Sequence, residues 1–273
     1  MATESNLTSK ISLAKANKQR KNKNKLAITL FLLPAILIYL IFILYPIITT
    51  FNYSLLDWNG MGESVFVGLE NFKNLLVDNS FWYALRNNMY LVWVSVFVQV
   101  PWGLGMALIF LSEIKVKRLF NLLVLLPYLM SAVAIGLLWV FMYDPANGPI
   151  NMALNALGFE SVNWLASNNV AIIAVLIVLV WQFAPFYMIL FKAAMVGIPE
   201  ELYEAADIDG ANGLQSFYYI TLPSLMPTIV SSSILAVVGS LKTFDIFYIM
   251  VGGSSGGSTE ILGTFMYRQT FVN

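Results

Sequence analysis

The sequence predicts an all-α membrane protein, a polytopic bundle of helical spans, and three observations carry that prediction. Hydrophobic residues make up 59% of the 273 and charged residues only 11%, a balance outside the range of soluble domains. Four charge-free runs, 26–45, 89–111, 119–143 and 170–191, reach the roughly 20 residues of helix that cross a bilayer core. Seven of the fifteen basic residues crowd into the first twenty-five positions, ahead of the first apolar run.

Taken in order, 1–25 reads as a polar, disordered cytoplasmic tail. The first run is longer than a signal-peptide core and no small-residue cleavage site follows it, so it reads as a retained anchor. Spans are expected over about 26–51, 86–111, 119–143, 170–193 and 221–250, all within a transmembrane domain of 26–273. The last of these is the most polar and the most easily bent, because it carries Pro223, Pro227 and Ser231 to Ser233. Placing the tail inside puts eleven Lys/Arg on the cytoplasmic face and leaves four outside, namely Lys73, Arg86, Lys242 and Arg268. The chain ends at Asn273 without a sixth apolar run, so five spans, an outer C-terminus and a missing sixth span are expected.

With neither Cys nor His, the chain has no thiol nucleophile, disulfide, Cys/His zinc site or His acid–base pair. It also lacks a Gly-rich phosphate loop ending in Lys-Ser/Thr, so it is not expected to hydrolyse nucleotides itself.

Between the fourth and fifth spans lies an acidic island, Glu200, Glu201, Glu204, Asp207 and Asp209, with no Lys or Arg from Ala193 to Leu241. Orientation places this loop, 197–219, in the cytoplasm. Pro199 suits the first turn of a helix, Glu200 and Glu201 complement its dipole, and Gly210 with 211–213 supplies stop signals. A short helix through Asp207 and a second piece over 214–220 would make a helical hairpin on the membrane surface. Ala205 and Ala206 allow close approach of a partner's backbone, and Glu204 beside them offers a carboxylate to an Arg. For Glu-Ala-Ala alone, an ordinary solvated acidic loop is the better account.

The longer pattern is more specific. Glu204, Ala205, Ala206, Gly210 six positions after the Glu, Ile220 sixteen after it, then Leu222 and Pro223 resemble the signature loop of the permease subunits of binding-protein-dependent ABC importers. The resemblance runs from about Leu30 to Asn273 and is nearest to the sugar-importing, maltose-permease-like branch. Tyr53 to Leu55, Asp57-Trp58 and Phe66 to Phe72 look like that branch's first outer segment, and Gly148, Ile150-Asn151 and Trp164-Leu165 like its second outer loop. Phe244-Asp245, Tyr248 and the glycine-rich stretch at 252–260 resemble the end of its fifth span, although Gly-Gly-Ser-Ser-Gly-Gly stands where the family often has Gly-Gly-Gly-Pro.

The resemblance implies the bundle of a type I ABC importer permease in a bacterial cell membrane, forming half of the translocation path. It implies as partners two ATPase subunits, a second permease, an extracellular solute-binding protein and a sugar, with no nucleic acid. No cofactor is expected on this chain, since ATP and Mg belong to the ATPase subunits. The coupling residues would be Glu204, Ala205, Ala206, Asp209, Gly210, Ile220, Leu222 and Pro223, and the glycine-serine loop would reach into the binding protein or serve as a plain linker.

A neutral sugar needs hydrogen-bonding side chains and aromatic faces within the spans, which makes Gln99, Trp181, Gln182, Tyr187 and Ser232 candidates for its path. Membrane aromatics also anchor at interfaces or pack the bundle, Gln99 also suits a bridge between helices, and Trp181 and Tyr187, six apart, fall on different faces. Lys242 and Asp245, three apart near the outer headgroups, read as an interfacial pair, while the resemblance adds Asp245 to the outer cavity. A glycerol-phosphate-type solute is the alternative cargo. A secondary transporter is the rival class, and it should show charges at mid-membrane that the four clear runs lack.

Overall fold

An apolar segment in lipid has no water to satisfy its backbone and closes its own hydrogen bonds as a helix. The computed structural model describes residues 28–58, 60–111, 117–167, 170–252 and 259–272, and is helical accordingly. The basic tail and most of the glycine-serine loop lie outside the described residues. The chain divides into two compact units at Val77 and Asp78.

In the first unit, helix α1, Ile28–Tyr53, is 26 residues long and long enough to cross a bilayer. A two-stranded ribbon follows, β1 (Leu56–Asp57) antiparallel to β2 (Val65–Phe66), with Leu56 opposite Phe66. Helix α2, Glu70–Val77, is tied to the ribbon because Asn71 Nδ2 donates to the carbonyls of Ser54 (3.1 Å) and Leu56 (2.8 Å).

The second unit opens with α3, Asn79–Leu111, whose first turn is capped by Asp78 accepting from Ser80 N. The third apolar run does not cross as one rod. It forms α4, Lys117–Leu129, and α5, Ala132–Met142, which meet at 104°. Ser131 causes the break: its backbone is extended and its Oγ accepts from Ala134 N at 3.2 Å, starting a new helix where the old one stops. At about 1.5 Å per residue neither half spans the core alone. Helix α6, Pro149–Ala156, sits in the following loop, where Asn151 Oδ1 accepts from Val162 N (3.0 Å) and Trp164 Nε1 (3.1 Å).

Helix α7, Ala171–Val196, is the axis of the unit. Its first half supplies Ala174, Val175, Val178 and Leu179 to one buried cluster, and its second half supplies Tyr187, Met188, Phe191 and Met195 to another. Helix α3 presses onto it at Gly103, where a Cβ would lie 2.5 Å from Tyr187 Cβ and so could not be housed. After a short helix α8, Glu200–Ile208, comes α9, Gly213–Lys242, unbroken for 30 residues. The span expected to bend most easily is therefore continuous through both of its prolines, and the third is bent where a rod is expected. It also begins before 221 and ends at Lys242, because Phe244 leaves helical geometry and α10, Asp245–Val251, starts afresh. Lys242 and Asp245 thus stand on different helices, and the pair suggested by their spacing does not form among the described residues. The two breaks match: α5 and α10 lie against each other, with Gly136 facing Ile249. Helix α11, Leu262–Phe271, follows, where the sequence predicted no helix.

Three turns in these helices are widened to the π register, Leu40–Leu44, Ser95–Gln99 and Phe217–Thr221. Each ends two residues before a proline, Pro46, Pro101 or Pro223. A proline ring collides with the carbonyl four residues earlier in an α turn. In each case that carbonyl lies inside the widened turn, which moves it aside.

A buried polar knot joins α3, α9 and α11. Asn88 donates from Nδ2 to Ser240 O (3.2 Å) and accepts at Oδ1 from Leu262 N (2.7 Å), and Asn87 Nδ2 donates to Glu260 O (2.8 Å). Glu260 in turn forms a bidentate pair with Arg268, Nε to Oε1 at 2.8 Å and Nη2 to Oε2 at 3.1 Å, with only 4% of the Glu260 side chain exposed. Replacing Arg268→Met leaves that carboxylate buried and alone. A loss of about 3–5 kcal/mol is expected, measured as a fall in the unfolding midpoint of the purified protein in detergent.

Candidate functional site

Two features of the second unit are built for more than packing. The first is the acidic hairpin. Helix α7 ends at Val196, and Pro199, extended at φ −58° and ψ 133°, is the N-cap of α8, so the proline precedes the first helical turn instead of occupying it. Glu200 and Glu201 fill that first turn, at the positive end of the dipole. At the other end Gly210 takes φ +75°, its N–H donates to Asp207 O, and Ala211 N donates to Ala206 O, which together close a Schellman cap. Asn212 then starts α9 through a capping box: Gln215 N donates to Asn212 Oδ1 at 3.0 Å and Asn212 N donates to Gln215 Oε1 at 2.7 Å. Only Gly210 and Ala211 separate the C-cap Asp209 from the N-cap Asn212. The hydroxyls of Tyr203 and Thr221, 2.8 Å apart, pin α8 to the base of α9.

The second helical piece expected over 214–220 is not separate. It is the start of α9, which runs past Pro223 without a stop because the π turn at Phe217–Thr221 makes room for the ring. Hairpin and span are thus one rod with a short arm.

The structure places Glu204, Ala205, Asp209 and Gly210 on the exposed side of that arm and half-buries Ala206. Ile220 and Leu222 are half-buried at the base of α9, beside exposed Pro223. Among the described residues none of the five carboxylates meets a cation. Apolar side chains that sequence reasoning passed over stand beside them, Ile208 at 86% exposure and Leu214 at 72%. The Tyr203–Thr221 contact was also missed, since residues 18 apart across a turn leave no local signal; the Asn-x-x-Gln capping box was there to be read.

The second feature is a cavity of about 80 Å3 between α3, α7 and α9, with Ser95, Gln99, Phe183, Tyr187, Ser240 and Thr243 among its walls. A buried site needs about 10–15 Å3 of such space to hold one water, so the cavity is small, with room for a few waters. It contains no charged group. Gln99 and Tyr187, both expected along a path, meet here. The other four candidates do not join them. Trp181 lines a separate groove with Val94, Val98 and Trp102, and stacks edge-on against Trp139, as its different helix face requires. Gln182 and Ser232 are buried, and Gln182 Oε1 and Ser232 Oγ have no partner among the described residues. Asp245 is exposed in the first turn of α10. Ser95, Ser240 and Thr243 were missed because a hydroxyl in a span usually returns a bond to its own helix, as Ser240 Oγ does to Ala236 O (2.7 Å), with the Ser95 hydroxyl oxygen 2.9 Å from it.

Apolar spans around a small polar interior, with an unneutralised acidic arm at one end, define a membrane transport subunit. The chain belongs to the binding-protein-dependent transport system inner membrane component family, which matches over residues 99–272. It is 36% identical over 248 residues to a probable ABC transporter permease protein of Pyrococcus horikoshii, covering 90% of this chain and 85% of the relative. It is likewise 36% identical over 266 residues to the trehalose/maltose transport system permease protein MalF of Thermococcus litoralis, covering 97% and 87%. Among solved structures it resembles a chain of a bacterial ABC transporter involved in the import of the acidic polysaccharide alginate, with a TM-score of 0.79, 25% identity, and coverage of 92% and 86%. The expected all-α permease bundle holds, with four helices among the described residues long and apolar enough to cross a membrane and a fifth span if the bent pair counts as one.

Gly210→Val forces a β-branched residue to φ +75°. A cost of roughly 1–2 kcal/mol is expected at the hairpin, seen as faster amide exchange over 200–216 with exchange in α7 unchanged.

Proposed function

We propose that this chain forms half of a translocation path for a sugar or oligosaccharide, and that it takes its driving force from ATP hydrolysed on two separate subunits. The observation that carries the reading is the continuity of α9. One end of this 30-residue helix bears the acidic hairpin, and Ala236, Gly239 and Ser240 near its other end line the polar cavity. A displacement applied to the hairpin is therefore delivered to the cavity wall through a rod about 40 Å long, at ~1.5 Å per residue.

In this reading Glu204 faces a basic residue of the ATPase, Ala205 and Ala206 permit close approach, and Asp209, Gly210 and exposed Ile208 complete the arm. Ile220, Leu222 and Pro223 form the root at which it joins α9. The five uncompensated carboxylates suit a basic socket on the partner. The N-terminus and the hairpin lie on the cytoplasmic side, an extracellular binding protein delivers the solute opposite, and a second permease completes the path. The chain does no chemistry of its own.

A cavity lined by Gln99, Tyr187, Phe183 and three hydroxyl side chains, and by no charge, suits a neutral polyhydroxyl solute. Hydrogen bonds would come from the amide and hydroxyls and a stacking face from the rings. Its small volume corresponds to a closed path that widens when the subunits rearrange. The trehalose/maltose relative supports that class, and the alginate transporter, whose cargo is an acidic polysaccharide, supports a saccharide without supporting its neutrality. Trp181, Gln182, Ser232 and Asp245 lie off this cavity and would serve the path only by way of surfaces completed by the second permease.

In the reconstituted complex, Glu204→Lys is expected to abolish stimulation of ATP hydrolysis by sugar-loaded binding protein, or to release the ATPase. Unchanged stimulation in an intact complex would sink the assignment. Gln99→Leu should weaken sugar uptake while leaving the complex assembled, measured as transport of labelled sugar into proteoliposomes.

A further inference from the structure

Helix α8 meets the rest of the chain along one narrow stripe. From Glu200 to Gly210 every residue is exposed except Tyr203 and Ala206, which are half-buried, and no other helix lies along the arm at length. Ala206 offers a single methyl group, so the lateral hold falls to the Tyr203 hydroxyl, 2.8 Å from Thr221 Oγ1. The joint between arm and span is two residues, one of them glycine, and it bends more readily than the helices it connects. Thr221 lies nine residues past Asn212, roughly 13 Å along α9 at ~1.5 Å per residue. A joint alone lets the arm swing. A joint and a tie at that distance make a bracket that holds its angle.

The tie lands on a particular turn. Thr221 is 7% exposed and is the last residue of the π turn Phe217–Thr221, which closes where Leu222 N donates to Phe217 O. Elsewhere in α9 the hydroxyls of Ser224, Ser231, Ser233 and Ser240 return to the carbonyl four residues back. Thr221 Oγ1 donates five residues back, to Ser216 O at 3.4 Å, because the turn is wide. A hydroxyl has one proton to give, so Tyr203 is the donor in its contact and Thr221 hands the chain on to Ser216 O. In the α register Thr221 would reach Phe217 O instead, away from its present line to Tyr203. The bond from Tyr203 therefore favours the widened turn.

We propose that Tyr203 is a positioning residue for coupling: acting through Thr221, its hydroxyl holds the widened turn and carries displacement of the acidic arm into α9. The proposal rests on the coupling reading of the arm and adds to it the contact by which the arm grips the span.

The test uses the assembled transporter in lipid nanodiscs, ATPase subunits and binding protein included. Spin labels go on Ile173→Cys in α7 and Leu241→Cys in α9, both exposed, in a chain with no cysteine of its own. ATP is expected to shift the separation of the labels in the wild type. Tyr203→Phe keeps the ring and drops the hydroxyl, and the ratio of shifted to resting populations should fall about fivefold, the equivalent of ~1 kcal/mol for one net hydrogen bond. Amides over 217–222 should exchange faster by about the same factor. Thr221→Val should reproduce both effects, the double variant should add nothing to either, and Thr221→Ser should keep the wild-type response. Thr221→Val decides the matter if Tyr203→Phe does not assemble. Faster exchange with an undiminished response to ATP would mark a merely structural bond and overturns the proposal, as does additivity of the two substitutions. Glu204→Lys separates the two readings. Loss of the response there with a full response in Tyr203→Phe overturns this proposal alone, and a full response in both overturns the coupling reading with it.

Discussion

A backbone amide or carbonyl that loses its helical partner inside a bilayer has no water to turn to, and the architecture is organised by how each such loss is made good. Before Pro46, Pro101 and Pro223 the helix widens to a π turn and continues. At Ser131 it does the opposite, stopping and restarting at 104° under a side-chain cap. At Leu262, where no helix turn precedes the N–H, Asn88 reaches across from α3 to accept it. Not every proline needs such help, since Pro127, Pro185 and Pro227 sit in ordinary α turns. The choice between widening and breaking decides which runs of apolar sequence become rods and which become paired half-helices.

That choice explains which parts of the fold could be read in advance. The number of apolar segments and the limits of the acidic hairpin are local properties, written in run length, Pro199, Gly210 and the residues that follow. The bend at Ser131 is local too, but a serine in a membrane run returns its hydroxyl to its own helix more often than it caps a new one, as Ser231 and Ser233 do. The knot of Asn87, Asn88, Ser240, Glu260 and Arg268 was out of reach for another reason: its partners lie up to 174 residues apart, and no period or spacing connects them. Lys242 and Asp245 show the converse error. Their spacing promises a pair only if the helix continues between them, and it does not.

The candidate site divides along the same line. The carboxylates and alanines of the arm are visible in the sequence, whereas what stiffens the arm, from the Schellman cap to the Tyr203–Thr221 contact, emerges only when α8 folds back on α9. Within the spans, residue type identified Gln99 and Tyr187, but type alone cannot separate them from Trp181 or Ser232, because helix azimuth decides which of them share a space.

Azimuth gives the π turn at Phe217–Thr221 a second meaning. It lies between the arm and every cavity-lining residue of α9, and a widened turn amounts to one residue inserted into the helix. With about 3.6 residues per turn, that residue sets the phase of everything beyond it by roughly 100°. Without it the arm would keep its caps and the upper helix its serines, yet Ser240 would point away from Gln99. The turn acts as the key that indexes a shaft to its handle: it fixes the angle at which the acidic arm and the polar wall are mounted on one rod.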